Sequence, residues 1–166
     1  MWSKAWLGVA GLFLAQAANA ATLPARAPGL WQSVSTVRGP DGRILPNADN
    51  VVTVTCVDAE NDTKFFISGE SSCTRLSISG TAQHYAINGA CSELGQKVTI
   101  HETLFYENAR SVQLQARLLL PSGPVSIAAQ LQWQGDCLPG MMPGDEGSIV
   151  DGAFSKADNV NDRANQ

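Results

Sequence analysis

Apolar and polar residues alternate with a period of two along most of the chain from Gly29 onward. Successive side chains of a β-strand point to opposite faces, so this period is typical of strands that have one buried face. The alternation is clearest in residues 96–106 and 111–120. The pattern therefore predicts a mainly β protein.

Turns rich in glycine, proline, asparagine and aspartate divide this pattern into about seven strands. The predicted strands are residues 30–37, 50–57, 73–79, 83–88, 96–106, 111–120 and 125–134. Short turns between neighbouring strands favour an antiparallel meander. We expect the meander to close into a small barrel, because closure leaves no strand edge exposed; a β-sandwich is the alternative.

One short helix is predicted over residues 58–66, between the second and third strands. Asp58 is a suitable N-cap residue, since its side chain can accept hydrogen bonds from the first turn. Glu60 and Asp62 follow in that turn, where the helix dipole favours negative charge.

Residues 1–20 have the pattern of a cleaved signal peptide. Lys4 provides a positive charge, residues 5–15 are apolar, and Ala18-Asn19-Ala20 is a small-x-small cleavage site. The apolar run is shorter than the ~20 residues that span a bilayer. We therefore expect a mature chain that begins at Ala21, lies in the periplasm and has no stable membrane anchor.

The mature chain is predicted to contain a single β domain over residues 28–145, followed by a disordered C-terminal tail over residues 146–166. From Asp145 onward, acidic and basic residues mix with glycine, serine, alanine and asparagine, and large apolar residues are few. Such a composition buries too little apolar surface to offset the entropy of ordering the chain.

The four cysteines are predicted to form two disulfide bonds, because exported proteins fold in an oxidising compartment. Four cysteines allow three pairings. Cys73 and Cys91 flank a predicted hairpin and should face each other across it, which leaves Cys56 to pair with Cys137. The chain has no Cys-x-x-Cys motif, so neither a redox pair nor a zinc site is expected.

Charge excludes one class of partner. The chain has 15 acidic and 11 basic residues, with a formal net charge of −4, and removal of Lys4 makes it one unit more negative. The basic residues are scattered singly. Nucleic acid is therefore not expected as a partner, because its binding needs a cluster of lysine and arginine to displace counterions.

The sequence contains no recognisable catalytic or metal-binding arrangement. His84 and His101 lie on neighbouring predicted strands, but Glu102 points to the face opposite His101, and a zinc site needs three or four ligands. Gly-x-Ser-x-Gly and His-Glu-x-x-His motifs are absent. We therefore expect no enzyme activity, no catalytic residue, no metal site and no cofactor.

Trp31 and Trp133, on the first and last predicted strands, are the candidate ligand-binding residues. Aromatic side chains commonly line small-molecule pockets, which is the functional interpretation. The structural alternative is that both tryptophans anchor the protein core.

Several features resemble one protein family. The opening Pro28-Gly29-Leu30-Trp31, the order of the four cysteines and the closing segment 135–144 are similar to small bacterial periplasmic proteins known as domain of unknown function 3617. The resemblance covers about residues 28–145. It implies export, a four-cysteine framework and a mostly β fold, and it brings no activity or catalytic residue.

Two functions are compatible with these features. The leading hypothesis is an exported periplasmic binding module for a small lipophilic ligand. The alternative is a protein-interaction or envelope-accessory protein, such as a protease-inhibitor-like barrel, that takes no small molecule. The inward-facing apolar residues distinguish the two, because a close-packed set leaves no space for a ligand; they are Val98, Ile100, Leu104, Leu114, Leu118, Ile127 and Leu131.

Overall fold

The computed structural model describes residues 21–67, 73–93 and 96–163, and within them the chain forms nine strands and two short helices. The strands are β1 (Gly29–Arg38), β2 (Val51–Val57), β3 (Cys73–Thr81), β4 (His84–Glu93), β5 (Gln96–Asn108), β6 (Ser111–Leu120), β7 (Gly123–Gly135), β8 (Asp145–Val150) and β9 (Ala153–Asn159). The helices are α1 (Lys64–Ile67) and α2 (Val160–Arg163). The prediction of a mainly β protein is thus confirmed.

All nine strands belong to one antiparallel sheet with the order β3-β4-β5-β6-β7-β1-β2-β8-β9. Most neighbours in this sheet are also neighbours in the chain. The exceptions are β1 with β7, where Trp31 lies opposite Trp133, and β2 with β8, where Val54 lies opposite Gly147.

The predicted barrel is wrong, because the sheet is open. Its two outermost strands, β3 and β9, lie at opposite ends of the strand order. Closure would require β3 to pair with the strand at the other end. That position is taken by the hairpin of β8 and β9, which extends the sheet from β2. The single sheet is not the alternative β-sandwich either.

The C-terminal segment also differs from the prediction. Where a disordered tail over residues 146–166 was expected, β8, β9 and α2 are formed as far as residue 163. Polar contacts order this segment. The buried carboxylate of Asp145 accepts hydrogen bonds from the Asn159 amide at 2.8 Å and from the main chain of Met142 at 2.9 Å. Its other contact is an ion pair with Lys156 at 2.7 Å.

The two faces of the sheet differ in composition. We call the face that packs against α1 the inner face. Its core cluster includes the buried residues Trp31, Val57, Ile87, Leu104, Tyr106, Val112 and Leu131. The opposite, outer face carries exposed polar side chains in β5 to β7, namely Thr103, Gln113, Gln115 and Gln130.

Two disulfide bonds cross-link the fold, one between adjacent strands and one between residues far apart in the chain. One joins Cys73 of β3 to Cys91 of β4, and the other joins Cys56 of β2 to Cys137, which follows β7. This is the pairing that the sequence predicts. Two disulfides indicate an oxidising environment outside the cytosol.

The predicted signal peptide, residues 1–20, lies outside the described residues. In the part of the chain that is described, neither helix has the length and apolar character needed to cross a membrane.

The N-terminal segment, residues 21–28, crosses the sheet before β1 begins. The main-chain amide of Ala21 donates a hydrogen bond to the carbonyl of Ile78 in β3 at 3.2 Å. The amide of Ala27 donates to the carbonyl of Ala109, between β5 and β6, at 2.7 Å. Between these two anchors, Leu23 packs on the core cluster of the inner face.

A buried ion pair fixes this segment to the loop before α1. The Arg26 guanidinium lies 2.6 Å from the Asp62 carboxylate, and both side chains are almost completely buried. The rings of Trp31, Phe65 and Phe66 surround the same guanidinium, at 4.5–5.6 Å from its carbon. Aromatic faces attract cations, so the rings stabilise the charge that Asp62 neutralises.

Candidate functional site

Part of the inner face is apolar and only half-buried. These side chains come from four neighbouring strands, and the register places them side by side. Leu118 lies opposite both Ile100 and Val125, and Ile127 lies opposite both Ala116 and Val37. We call this set the apolar patch: the half-buried Val37, Ile100, Leu118, Val125 and Ile127, together with Ala116, which lies among them and is 8 % exposed.

The inward-facing residues that distinguish the two hypotheses do not all close-pack. Val98, Leu104 and Leu131 are buried. The other four are half-buried: Ile100, Leu114, Leu118 and Ile127. The inner face therefore keeps accessible apolar surface instead of forming a closed core along its whole length.

A carboxyl group adjoins the apolar patch. Glu102 lies on the inner face of β5, opposite Ile87 of β4 and Ala116 of β6, and its residue is 8 % exposed. Its Oε1 atom has no hydrogen-bond partner among the described residues. A buried polar atom without a partner is costly to the fold. Removal from water disfavours the charged form and raises the pKa of Glu102 to about 7.

A second polar group without a partner lies on the same face. The hydroxyl of Tyr106 is buried, and within the described parts of the chain nothing bonds to it. Burial raises the pKa of Tyr106 above its usual range, and the nearby charge of Asp62 acts in the same direction. Glu102 and Tyr106 both occupy inward positions of β5, and the buried side chain of Leu104 lies between them in the same row.

We expect the protein to lose stability as the pH rises from about 5 to 8. The folded-state pKa of Glu102 is about 7 and its ordinary value is 4.5, so the folded protein binds this proton more tightly. The resulting stabilisation is complete below the unfolded-state value and is lost as the pH rises through the folded-state pKa. It amounts to about 3 kcal/mol, at roughly 1.4 kcal/mol per pH unit.

Thermal unfolding between pH 5 and 8 measures this loss. Glu102→Gln should remove the Glu102-dependent part of the pH profile, whereas Glu60→Gln, at an exposed position before α1, should leave it unchanged. An identical profile in the wild type and in Glu102→Gln would contradict the assignment.

The two candidate tryptophans are brought together in the register of β1 and β7, and Trp31 is removed from solvent. Trp31 is 1 % exposed, and its indole donates a hydrogen bond to the carbonyl of Ala27 at 2.8 Å. Trp133 is half-buried, donates to the carbonyl of Pro28 at 2.9 Å, and lies under the guanidinium of Arg110 at 4.4 Å. Trp31 thus presents no surface to a ligand and belongs to the core cluster.

A glycine allows this close approach of the first and last long strands. Gly29 has a φ of +126°, and a Cβ atom there would lie 2.1 Å from the carbonyl oxygen of Gly135. It would also lie 2.9 Å from the indole nitrogen of Trp133. Any other residue at position 29 would therefore push β1 and β7 apart.

The two histidines lie on the outer face and are exposed. The ring of His84 stacks on Phe105 with 4.7 Å between centroids, beside an open cleft of about 530 Å³. The Nδ1 atom of His101 lies 2.7 Å from the Asn88 amide oxygen. Across the described residues, no group of three or more histidine, cysteine, aspartate or glutamate side chains could hold a metal ion.

Glu102 is the site residue that the sequence interpretation passed over. Its position carried a signal, because it occupies an inward position of an otherwise apolar series in β5: Val98, Ile100, Leu104 and Tyr106. A carboxyl group in such a series is either paired or functional. Arg26 carried no comparable signal, since it precedes the first strand.

Comparison with known proteins identifies a family. A family described as "Protein of unknown function (DUF3617)" matches residues 26–137, which include β1 to β7, Glu102 and all four cysteines. The curated proteins and the solved structures gave no significant match. The match covers more than half of the chain, and it agrees with the resemblance noted in the sequence. The chain therefore belongs to the DUF3617 family of proteins of unknown function.

Proposed function

We propose that this protein is an exported periplasmic binding protein for a small lipophilic molecule, and that it acts by binding and not by catalysis. The ligand's apolar part lies on the apolar patch, and its polar end reaches Glu102. The observation that carries this proposal is the combination of half-buried aliphatic side chains with a buried carboxyl oxygen that has no partner in the described part of the chain. Small-molecule sites commonly combine an apolar lining with a few polar groups.

The contrast between the two faces supports this position for the site. On the outer face, side chains at equivalent positions of the same strands are polar and exposed, as in Gln115 and Ser126. On the inner face, the opposed residues are Ala116 and Ile127. Ligand binding would remove this apolar surface from water, which is worth about 25 cal/mol for each Å² buried.

Dye binding tests the proposal. The neutral apolar dye N-phenyl-1-naphthylamine is expected to bind the native protein with one-site saturation. Ala116→Phe fills the middle of the apolar patch and should weaken dye binding by about tenfold or more, which corresponds to roughly 1.4 kcal/mol. Fluorescence titration of the purified protein, residues 21–166, measures both affinities.

A matched variant controls for the added aromatic ring. Ala128 lies on the neighbouring strand β7, but on the outer face, and it is exposed. Ala128→Phe should leave dye affinity unchanged. If the native protein does not bind the dye, or if both variants weaken binding equally, the inner face is not the ligand site.

Protein interaction is the second candidate function, and one observation favours it. Ile149 and Val150, next to the turn of the hairpin formed by β8 and β9, are 45 % and 53 % exposed. An envelope protein that covers this hairpin would bury both side chains. Loss of a co-purifying protein in an Ile149→Ser/Val150→Ser variant would support this role, and unchanged co-purification would contradict it.

A further inference from the structure

We infer that the ligand of the inner face is an amphiphile with a protonated amine at its polar end, held by the carboxylate of Glu102. This inference rests on the proposed function and specifies the chemical class of the ligand. It follows from three observations, which concern the partnerless oxygen, the charges around it and the apolar surface beside it.

The first observation is geometric. Glu102 is held on a central strand by main-chain pairing to β4 and β6 on both sides. The residue is 8 % exposed, yet its Oε1 atom is buried and has no partner in the described residues. An ionised carboxylate only accepts hydrogen bonds. A ligand that satisfies this oxygen must therefore supply a donor when the group is charged.

The second observation concerns charge. The residues directly opposite Glu102 are Ile87 and Ala116, which carry no charge. Tyr106, on the same face, is a neutral phenol with a raised pKa. Among the described residues, the cation that acts on Tyr106 is Arg26, and it is already paired with Asp62 at 2.6 Å. The described residues thus supply no free cation to Glu102. An ammonium group on the ligand would provide the missing positive charge.

The same charges disfavour an acidic amphiphile. A fatty acid would place a second carboxylate beside Glu102, and two like charges in a site shielded from water repel strongly. One of the two groups would have to hold a proton, which weakens binding at neutral pH. The negative net charge of the chain, −4, acts in the same direction over a longer range.

The third observation is the apolar surface that adjoins the carboxyl group. Ala116 is directly opposite Glu102, and Ile127 is directly opposite Ala116. The neighbouring row contains Ile100, Leu118 and Val125. An alkyl chain or ring system that starts at Glu102 can therefore lie across β6 and β7 on aliphatic side chains. Such a surface gives affinity for hydrocarbon, while Glu102 selects the polar end.

Three ligands with the same alkyl chain separate these contributions: dodecylamine, 1-dodecanol and dodecanoic acid. Their affinities are measured at pH 8 by displacement of N-phenyl-1-naphthylamine from the mature chain. We expect dodecylamine to bind about tenfold or more tightly than dodecanoic acid, because a charge-assisted hydrogen bond replaces a repulsion. The affinity of 1-dodecanol should lie between them.

Two further measurements connect this preference to Glu102. Glu102→Gln should weaken dodecylamine binding and reduce its advantage over dodecanoic acid, whereas Glu60→Gln makes the same charge change at an exposed position and should leave it intact. In the wild type, dodecylamine affinity should rise from pH 6 to pH 8 as Glu102 loses its proton. This pH series uses no variant, so it remains decisive if Glu102→Gln fails to fold.

The outcomes are distinguishable. Preference for the amine, together with its loss in Glu102→Gln, supports the inference. Equal or tighter binding of dodecanoic acid, or amine affinity that does not change between pH 6 and 8, overturns the inference while leaving a lipophilic site in place. If the dye and all three ligands fail to bind, the proposed function itself is overturned.

Discussion

Replacing Asp62 with asparagine should lower the free energy of unfolding by about 3–5 kcal/mol, because the buried guanidinium of Arg26 then loses its counter-charge. The substitution retains the size of the side chain and some hydrogen bonding. It leaves a cation enclosed by Trp31, Phe65 and Phe66 without an anion. Urea denaturation at pH 7 measures the difference.

A surface ion pair provides the control. Arg43 and Asp41 lie 3.7 Å apart, and both side chains are well exposed. Asp41→Asn should change the free energy of unfolding by less than about 1 kcal/mol, because water and salt screen exposed pairs. An effect of Asp62→Asn as small as that of Asp41→Asn would show that the buried pair does not stabilise the fold.

Removing the disulfide between Cys56 and Cys137 should cost about 4–5 kcal/mol. The bond closes a loop of 81 residues, and constraint of the unfolded chain grows with loop length in the chain-entropy argument. The Cys56→Ser/Cys137→Ser variant also loses the covalent link that holds the segment leading into β8. We expect its urea midpoint to fall sharply while the rest of the sheet retains its strand content.

The second disulfide is the matched comparison. Cys73 and Cys91 are separated by 18 residues, so the Cys73→Ser/Cys91→Ser variant should lose about 3 kcal/mol. The informative result is which of the two variants has the lower free energy of unfolding. If the variant of the shorter loop were the less stable one, local packing at β3 and not chain entropy would dominate.

Strand positions and disulfide pairing were accessible from sequence because both depend on local pattern. The alternation over β5, β6 and β7 is nearly uninterrupted, and the corresponding predictions match the observed strands within a few residues. Cys73 pairs with Cys91 because the hairpin between them sets the register. The predicted helix over residues 58–66 is shorter in the structure, where only Lys64–Ile67 is α-helical.

The open sheet could not be predicted from the sequence in the same way, because it depends on pairing between strands that are far apart in the chain. Nothing in β2 alone indicates that its free edge pairs with β8, since the two strands share only two register pairs. The C-terminal strands have few apolar residues and resemble a disordered tail in composition. Their order comes from the buried Asp145 and its bonds to Asn159 and Lys156, which a composition argument does not register.

The candidate site could be predicted from the sequence only in part. The inward-facing aliphatic residues were identified from their period, but whether they close-pack depends on sheet curvature and on what covers them. Trp31 and Trp133 drew attention as large aromatic residues, yet Arg26 and the N-terminal segment enclose Trp31. The sequence placed Glu102 only on the face opposite His101. Its importance emerged from its burial and from its Oε1 atom, which has no partner among the described residues.

The pairing of β1 with β7 also affects how the chain can fold during synthesis. β1 is made early, but the strand that covers its second edge is made only after β2 to β6. Until then, β1 presents unpaired backbone groups and the indole of Trp31, and such edges promote aggregation. Pairing across a long loop is slow, because the entropy of closure must be overcome first. The nascent protein is therefore most prone to aggregation in the interval before β7 is made.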